Sequence, residues 1–501
     1  MDKVIELVKD RRLTYPQKRH ELAAAAENSL PYLQVGRRVQ ELMDSGVLHD
    51  LGEGHAPYRP RYILPDYVKF IRQGSRHLDL PAPRDLYEAV NALLILYRNV
   101  PSVTGYPVYL GQIDDVLEGF IDTVSPAEAE RLLRMFLVNI DRTLPDAFVH
   151  MNIGPRATAV GRLVLKLEGE LKKAVPNLSL KFSEETPPEF ARLAVTTALD
   201  TSKPYFVNHA ELRRVFGGDD YGIASCYNSL KIGGGSFTLV RLNLKEAARG
   251  ARDYDQFMAD VLPEVVDAQA ELINARIRFI VEEAGFFESS FLAQEGLIDR
   301  RKFTAMAGFF GLYEGVQAFS GGRRMGHDKG ADEMALAIMG RAHDLVKMHK
   351  TAYGKVFGGL LGVHAQSGID TDVDVTAGVR SRIGDEPALY DQIRLQSALQ
   401  RHFDTGVNDI YIFEANARDN PDGVLRIVRG AMKNGMRIMA LNTSDSELIR
   451  ITGYLVKRCE VDRYFRGEPV REGTVKLGAD SIKNNRTLER RVRAVREGDG
   501  Q

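Results

Sequence analysis

The 501-residue chain has 44% hydrophobic and 27% charged residues, a balance typical of a soluble protein with a large buried core. Its 67 Lys and Arg residues nearly cancel its 68 Asp and Glu residues, so the charge predicts neither a nucleic-acid surface nor a membrane surface. Two cysteines are too few for a disulfide framework, a four-cysteine zinc site or an iron–sulfur cluster, and we expect no bound metal.

The N-terminal part of the chain predicts helices rather than a membrane anchor. No apolar run approaches the roughly 18 residues of a spanning helix, and charges fill the N-terminal stretch, so we expect a cytoplasmic protein. Residues 1–120 are interpreted as a mostly helical outer layer, with an apolar helix over 85–97. Ser125, Pro126 and Glu128 then match a capping box and predict the start of the next helix.

The central and C-terminal parts of the chain alternate between strands and helices. Strand-like segments recur between 175 and 250, and a long helical stretch interrupted by Pro263 follows from 253 to 285. Another helix is predicted over 331–350, and a further one begins at Asn420-Pro421 and ends at Gly435 before a buried strand. This alternation favours an α/β fold in one compact unit, because no linker, repeat or low-complexity tract divides it.

Two short segments carry the functional signal. The stretch R-I-T-G-Y-L-V-K-R at 450–458 places Gly453 inside a β-branched, apolar run, which predicts a loop tip. The stretch Y-G-I-A-S-C-Y-N-S-L at 221–230 contains Cys226, and a glycine triplet and a strand-like run follow it. A turn glycine and a buried thiol would be the ordinary interpretation of each segment alone.

Together these segments resemble glycyl radical enzymes, which carry a cysteine on one central loop and an R-x-x-G-Y glycine on a second. The resemblance extends over most of the chain through V-P-S-V-T-G-Y-P-V-Y-L-G-Q at 100–112, V-P-N-L-S-L-K-F-S at 175–183, S-K-P-Y-F-V-N at 202–208 and G-L-Y-E-G at 311–315. It is nearest to the YjjI-like branch, and more distant from class III anaerobic ribonucleotide reductase and pyruvate formate-lyase.

The resemblance implies both a fold and a division of the chain. The expected fold is a ten-stranded α/β barrel of two parallel five-stranded halves, with the Cys226 and Gly453 loops meeting at its centre and helices around it. Residues 121–440 would form the barrel core that carries the cysteine loop, and residues 441–501 would form the glycyl radical segment.

The resemblance also implies roles for the two residues. A radical at a glycine α-carbon is shared with the flanking amides in a planar centre that no β-carbon crowds, so Gly453 would store the radical. Cys226 would carry the reactive thiyl, since its strong S–H bond lets it take hydrogen from a substrate C–H, and both loops should be shielded from water and oxygen. No cofactor would be bound permanently, because a separate radical S-adenosylmethionine activase would install the radical. A homodimer is implied as well.

Further side chains are candidates for binding substrate or transferring protons. They are Tyr227 and Asn228 beside the cysteine, Asn208 and His209 at a strand end, Tyr313 and Glu314 in G-L-Y-E-G, and His364 after a glycine-rich approach. Glu314 is the candidate carboxylate base, and its alternative is an ion-paired glutamate at a helix end. His402 is also flanked by polar residues, but a structural role is the ordinary interpretation.

Three other motifs have simpler interpretations. Gly233, Gly234 and Gly235 lack the G-K-[ST] of a phosphate loop and are interpreted as a hinge for the cysteine loop. Asp370, Asp372 and Asp374 begin like a calcium loop, but Val375 replaces the required glycine and Ser381 the terminal glutamate, which favours an acidic turn. Cys459 is interpreted as a buried structural thiol.

The residues that flank Cys226 in the sequence argue against some reactions of the related families. Pyruvate formate-lyase relatives use two adjacent cysteines, whereas Ser225 and Tyr227 flank Cys226, and Asn228 stands where eliminases of the superfamily carry a glutamate. We therefore predict a glycyl radical enzyme, a lyase or an oxidoreductase, that abstracts hydrogen from a small polar metabolite. The alternatives are an enzyme like anaerobic ribonucleotide reductase and a non-catalytic, metabolite-binding α/β barrel. Close approach of Cys226 and Gly453 inside the protein would favour the radical enzyme.

Overall fold

The computed structural model describes residues 2–31, 33–51, 53–54, 56–366 and 372–495. The α-helices in chain order are α1 (Asp2–Lys9), α2 (Tyr15–Glu27), α3 (Arg37–Asp44), α4 (Tyr67–Gln73), α5 (Leu86–Tyr97), α6 (Ile113–Leu117), α7 (Pro126–Thr143), α8 (Ala159–Leu171), α9 (Pro188–Thr201), α10 (His209–Phe216), α11 (Leu244–Arg249), α12 (Tyr254–Gln256), α13 (Leu262–Arg278), α14 (Phe286–Ser289), α15 (Phe291–Gln294), α16 (Leu312–Phe319), α17 (Lys329–Val346), α18 (Leu389–Gln400), α19 (Pro421–Lys433), α20 (Arg458–Phe465) and α21 (Val475–Asn485).

The strands in chain order are β1 (Leu48–His49), β2 (Tyr62–Leu64), β3 (His150–Ile153), β4 (Asn177–Phe182), β5 (Tyr205–Asn208), β6 (Tyr221–Ala224), β7 (Asn228–Lys231), β8 (Gly234–Asn243), β9 (Phe303–Phe310), β10 (Gly362–Ala365), β11 (Asp409–Phe413), β12 (Ile438–Thr443), β13 (Leu448–Arg450), β14 (Leu455–Lys457) and β15 (Val492–Arg493). Helices separate most of the long strands, as the sequence predicts for an α/β fold.

The long strands form two mixed sheets. In the five-stranded sheet β8, β9 and β10 are parallel, and β1 and β2 pair with β8 in the antiparallel direction. In the six-stranded sheet, with order β15-β11-β12-β5-β4-β3, two parallel sets meet where β12 runs antiparallel to β5. Two short hairpins, β6–β7 and β13–β14, stand apart from these sheets.

The strand pairs contain two parallel sets, and the closed barrel with five strands in each half stays a prediction. The antiparallel β12–β5 pair joins the two sets within one sheet, and β1 and β2 come from the segment predicted as an outer layer. Strands that are buried on both faces read as continuous apolar runs, so the sequence could not give their direction or their partners. Residues Leu110 to Gln112 also run parallel to β3, through the Gln112–Asn152 bridge.

The predicted helices agree well with the structure. Ser125 and Glu128 form the capping box that opens α7, and α19 follows Asn420-Pro421. The stretch from 253 to 285 is helical across Pro263, which occupies the first turn of α13, with π-helical turns on either side of that helix. No helix in the described part of the chain is long and apolar enough to cross a membrane.

Candidate radical site

Cys226 lies in the turn between β6 and β7, which we call the cysteine turn (Ser225 to Tyr227). Ser225 adopts a left-handed φ of 54°, and its N–H donates to the carbonyl of Val108 at 2.8 Å. Asn152 pairs with the backbone of Ile223, its side chain accepting from the N–H and donating to the carbonyl. The turn is therefore fixed on its β6 side, and Cys226 is only 6% exposed.

His150 holds the cysteine turn through the Ser225 carbonyl. Its Nδ1 is 2.7 Å from the Ser225 carbonyl oxygen and its Nε2 is 2.8 Å from the Ser179 hydroxyl oxygen. Because a carbonyl can only accept, Nδ1 carries the proton and Nε2 accepts from the hydroxyl. Burial lowers the pKa of His150 to about 3, so the imidazole stays neutral and this arrangement persists at ordinary pH.

Gly453 lies at the tip of the β13–β14 hairpin, which we call the glycine hairpin (residues 448–457). The two strands pair from Leu448–Lys457 to Arg450–Leu455, and the Ile451 N–H closes the tip on the Tyr454 carbonyl at 3.0 Å. The prediction of a loop tip at Gly453 is confirmed. The hairpin is buried along both strands because its residues are almost all apolar.

The glycine hairpin and the cysteine turn meet tip to tip. A β-carbon placed on Gly453 would overlap the Cys226 side chain and lie 2.8 Å from the Cys226 α-carbon and 2.9 Å from the Tyr227 ring. Real β-carbons essentially never approach that closely, so contact rather than backbone conformation requires glycine here. The α-carbon of Gly453 thus faces Cys226 directly inside the protein.

Three successive carbonyls of the hairpin tip are each held by a side chain from elsewhere in the fold. Arg490 donates to the Ile451 carbonyl at 2.8 Å, Arg380 donates to that of Thr452 at 3.3 Å, and Asn177 donates to that of Gly453 at 3.0 Å. Side chains that bind backbone oxygens position the tip without depending on its own side chains.

Tyr227 of the cysteine turn packs against His364. The two rings stack with centroids 5.8 Å apart, and the Tyr227 hydroxyl donates to the Ala365 carbonyl at 2.8 Å. His364 Nδ1 lies 3.1 Å from the Thr405 carbonyl oxygen and therefore carries the proton, which leaves the Nε2 lone pair as an acceptor. Burial lowers the pKa of His364 to about 3, so it acts as a neutral group.

Arg61 and Tyr62 also face this site, although the sequence was interpreted there as an outer layer. Burial raises the pKa of Tyr62, and its environment includes Arg61, Ser225 and Cys226. Arg61 is paired with the buried carboxylate of Glu53 at 3.0 Å. The sequence H-A-P-Y-R-P-R-Y signals only a turn-rich segment, and the antiparallel pairing of β2 with β8 brings it to the site.

Of the other candidate residues, Asn228 lies closest to the cysteine turn. Its side-chain amide donates to the Ala224 carbonyl across the turn at 3.1 Å, and its Oδ1 has no partner among the described residues. Asn208 instead caps α10 and donates to the carbonyls of Met432 in α19 and Met436 just after it. His209 pairs with the Tyr221 hydroxyl at 2.8 Å, and burial lowers its pKa to about 4.

Tyr313 and Glu314 lie in the first turn of α16. The Tyr313 hydroxyl donates to Asp385 at 2.6 Å, and both carboxylate oxygens of Glu314 accept hydrogen bonds from Thr376, at 2.9 and 2.6 Å. Burial raises the pKa of Glu314. Glu314 lines a cleft that also contains Arg380 and Thr452, which places it beside the glycine hairpin.

The remaining motifs have local structural roles. Gly233 supplies a left-handed turn, and β-carbons on Gly234 and Gly235 would overlap the Lys302 and Tyr62 backbones, so these two glycines allow strands to approach rather than form a hinge. Asp372 forms a buried, bidentate ion pair with Arg241, whereas Asp370 lies outside the described residues. No group of His, Cys, Asp and Glu side chains suited to a metal ion occurs within the described ranges.

Cys459 corrects one expectation. It was predicted as a buried thiol, but it is exposed on α20. The helix buries Glu460, Val461 and Tyr464 instead, so Cys459 lies on the opposite side. Its distance of six residues from Gly453 gave no information about this orientation.

Comparison with known proteins agrees with this geometry. A family model described as "Glycyl radical enzyme YjjI-like" matches residues 13–493. The chain belongs to the YjjI-like glycyl radical enzyme family. It is 39% identical to the uncharacterized protein YjjI of Escherichia coli (strain K12), over 96% of this chain and 94% of that protein. It is 37% identical to an uncharacterized protein of Haemophilus influenzae, over 98% and 97% of the two chains.

Solved structures of other glycyl radical enzymes have the same fold. An anaerobic ribonucleotide reductase aligns with a TM-score of 0.66 at 11% identity, over 83% of this chain and 81% of that one. The B12-independent glycerol dehydratase from Clostridium butyricum aligns with a TM-score of 0.66 at 11% identity, over 94% and 83%. At this identity the similarity establishes the fold alone. Membership of the family implies an enzyme, and its members are typically activated by a separate activase.

Proposed function

We propose that this protein is a glycyl radical enzyme in which Gly453 stores the radical and Cys226 uses it on a small polar metabolite. A separate radical S-adenosylmethionine activase removes one hydrogen atom from the Gly453 α-carbon. The observation that carries the proposal is the tip-to-tip contact of Gly453 with Cys226, because hydrogen-atom transfer requires the two groups to touch.

Each transfer in the proposed cycle moves one hydrogen atom. The Gly453 radical takes the hydrogen of the Cys226 S–H bond, which restores the glycine and leaves a thiyl. The thiyl takes a hydrogen atom from a substrate C–H bond and returns it to the product radical. Cys226 then recovers the hydrogen atom from Gly453, so the radical is stored again and no net oxidant is consumed.

The polar groups around Cys226 support a polar substrate. The Asn228 Oδ1 is buried and has no partner in the described part of the chain, and the neutral His364 presents Nε2 as an acceptor. A buried acceptor without a donor costs about 1–3 kcal/mol, which a hydroxyl or amide of the substrate would offset. Tyr227 and Tyr62 supply the walls of the site.

Electron paramagnetic resonance tests the glycine without any knowledge of the substrate. We expect anaerobic activation by the cognate activase to give a doublet, split by the single α-hydrogen that remains on Gly453. Protein that carries α-deuterated glycine should give a collapsed signal. If an activase proven on a peptide that spans Gly453 produced no signal in the folded protein, the proposal would be wrong.

Solvent exchange tests the transfer to cysteine. The Cys226 S–H exchanges with D2O, so reversible transfer should place deuterium on Gly453 and collapse the doublet in the parent protein. The Cys226→Ser variant should keep its doublet in D2O, because a hydroxyl hydrogen is not readily abstracted, and it should not turn over substrate. The Cys459→Ser variant is the control and should behave as the parent. A doublet that collapses equally in Cys226→Ser would assign the transfer to another group.

A further inference from the structure

A solvent-open cleft lies beside the glycine hairpin, and we call it the arginine cleft. Its walls are residues 374–383 on one side, and the hairpin tip with the end of α21 on the other. It is lined by Arg380, Arg382, Arg486 and Arg490. The residues of the cysteine turn do not line it, so its occupant would not touch Cys226.

Positive charge exceeds negative charge in the arginine cleft. The acidic residues that line it are Glu314 and Asp374. Both oxygens of Glu314 are already engaged by Thr376, and Asp374 lies 3.9 Å from Arg382. Arg486 pairs with Glu489, whereas Arg380 Nη1 and Arg490 Nε have no partner among the described residues and remain as donors for an anion. The forked geometry of a guanidinium matches the oxygens of a carboxylate or a phosphate.

The inner end of the cleft contains polar groups that lack partners. Ser381, Arg380 and Thr452 are 3%, 4% and 7% exposed, and the Ser381 Oγ, Arg380 Nη1 and Thr452 Oγ1 atoms have no hydrogen-bond partner among the described residues. Buried polar groups in native proteins are nearly always satisfied, and a bound water, ion or ligand supplies the partner where the protein does not. Three such groups at one end of an arginine-lined cleft indicate a built site.

We propose that the arginine cleft binds the carboxylate or phosphate group of a small metabolite and that this ligand holds the glycine hairpin docked. Arg380 and Arg490 line the cleft, and the same two side chains hold the Thr452 and Ile451 carbonyls. Arg380 also lies over the Tyr227 ring, 5.7 Å from its centroid. An anion that fixes these arginines therefore fixes the contact between the glycine hairpin and the cysteine turn.

The proposal predicts a saturable effect on hairpin opening. A ligand that binds only the docked state slows opening by the factor 1 + [L]/Kd, which is about 100-fold at a concentration 100 times Kd. Amide hydrogen exchange of the peptide spanning 448–457 measures this opening in the full chain. It requires no radical, so its failure would leave the proposed function intact.

The experiment compares inorganic phosphate with succinate at constant ionic strength maintained by sodium chloride. We expect saturable protection of peptide 448–457 by at least one of them, which distinguishes phosphate from carboxylate recognition. The double variant Arg382→Gln/Arg486→Gln removes two exposed arginines at the rim of the cleft. It should weaken anion binding, so the anion concentration that gives half-maximal protection should rise at least tenfold. The control is Arg37→Gln, which removes an exposed arginine of α3 that does not line the cleft. It should leave the half-saturating anion concentration unchanged.

Three results would overturn the proposal. The first is absence of saturable protection with both anions. The second is equal protection in the double variant, which would mark an adventitious ion only. The third is protection spread evenly over the whole chain, which would be a general salt effect. Ser381→Ala gives an independent check, because it removes an unpartnered hydroxyl and should weaken binding without lowering the stability of the protein.

Discussion

Gly453 lies where a β-carbon would come within 2.8 Å of the Cys226 α-carbon and 2.9 Å of the Tyr227 ring. Its φ lies outside the left-handed region, so an alanine could adopt the backbone but could not fit the space. The radical chemistry and the packing therefore demand the same residue for different reasons. Substitution at this position affects both the docking of the hairpin and the radical.

The first prediction concerns the stability of Gly453→Ala. We expect the added methyl group to lower the free energy of unfolding by about 1–3 kcal/mol through overpacking, or to release the hairpin. Urea unfolding and hydrogen exchange of residues 448–457 measure the two effects. Gly169→Ala on α8 is the matched control, since its β-carbon would enter open space and should stabilise the helix by up to about 1 kcal/mol. Equal unfolding curves for both variants would contradict the contact.

At this scale the sequence predicted the two central residues and missed their supports. The cysteine and glycine segments have recognisable local patterns, so their meeting could be predicted. Asn177, which holds Gly453, lies 276 positions away and binds a backbone oxygen. Backbone oxygens carry no sequence signature, so this contact could be found only in the folded chain. The Asn208 side chain caps α10, and its part in substrate binding stays a prediction.

At the scale of elements, the glycine hairpin is too short to be stable alone, because an isolated two-stranded hairpin is marginal in water. Its buried strands and the three side chains on its tip carbonyls keep it docked. Each of these bonds can break without unfolding the sheets. The hairpin can therefore open locally at a lower free energy than the whole protein.

The second prediction tests one of these bonds. Asn177→Ala leaves the Gly453 carbonyl without its donor, at a cost of about 1–3 kcal/mol in docking. We expect exchange of the hairpin amides to accelerate about tenfold or more, while the amides of β3 and β4 change little. The control is Asn434→Ala, an exposed asparagine whose side chain donates to the Gly430 carbonyl, and it should leave the hairpin unaffected. Unchanged exchange in Asn177→Ala would show that the bond does not limit opening.

Helices were easier to predict than sheets. Four adjacent residues determine the start of α7, because the Ser125 and Glu128 side chains each accept a hydrogen bond from the other's backbone N–H. The pairing of β12 with β5 joins Ile438 to Val207, and no local pattern encodes a contact across such a distance in sequence. The antiparallel direction at this joint therefore could not be predicted from the sequence.

At the scale of the whole molecule, both ends of the chain converge on the segment that carries Gly453. Gln17 of α2 donates to the carbonyls of Val470 and Arg471, and Arg12 lies over the Tyr464 ring. Arg471 in turn pairs with the buried Asp141 of α7. The C-terminal segment is thus fastened to the rest of the fold at a site remote from the hairpin tip.

The third prediction concerns the pH dependence of stability, which a buried carboxylate in the C-terminal segment should produce. Glu472 is fully buried between α20 and α21, and burial together with the nearby charge of Glu460 raises its pKa to about 8. Asp141 adds to this effect, whereas Lys457 and Arg471 oppose it. In the unfolded chain the pKa of a glutamate is about 4.3. Between these values the folded state binds a proton that the unfolded state has released.

The sign of the pH dependence follows from that difference. The contribution of Glu472 to stability is fully present below about pH 4.3 and is lost as the pH rises toward 8, by about 1.4 kcal/mol for each unit. Glu472→Gln keeps the shape and removes the titration, so its stability relative to the parent should rise by about 2 kcal/mol from pH 6 to pH 8. Urea unfolding at intervals of half a pH unit measures this difference.

The matched control is Glu468→Gln, four residues earlier in the same segment. Glu468 is partly exposed, and its hydrogen bonds with Arg466 and Arg463 lower its pKa. Its titration therefore lies well below pH 6, and its difference curve should be flat between pH 6 and 8. A flat curve for Glu472→Gln as well would mean that Glu472 is ionised in the folded protein. The C-terminal segment would then be fastened by its ion pair with Arg471, which high salt should weaken.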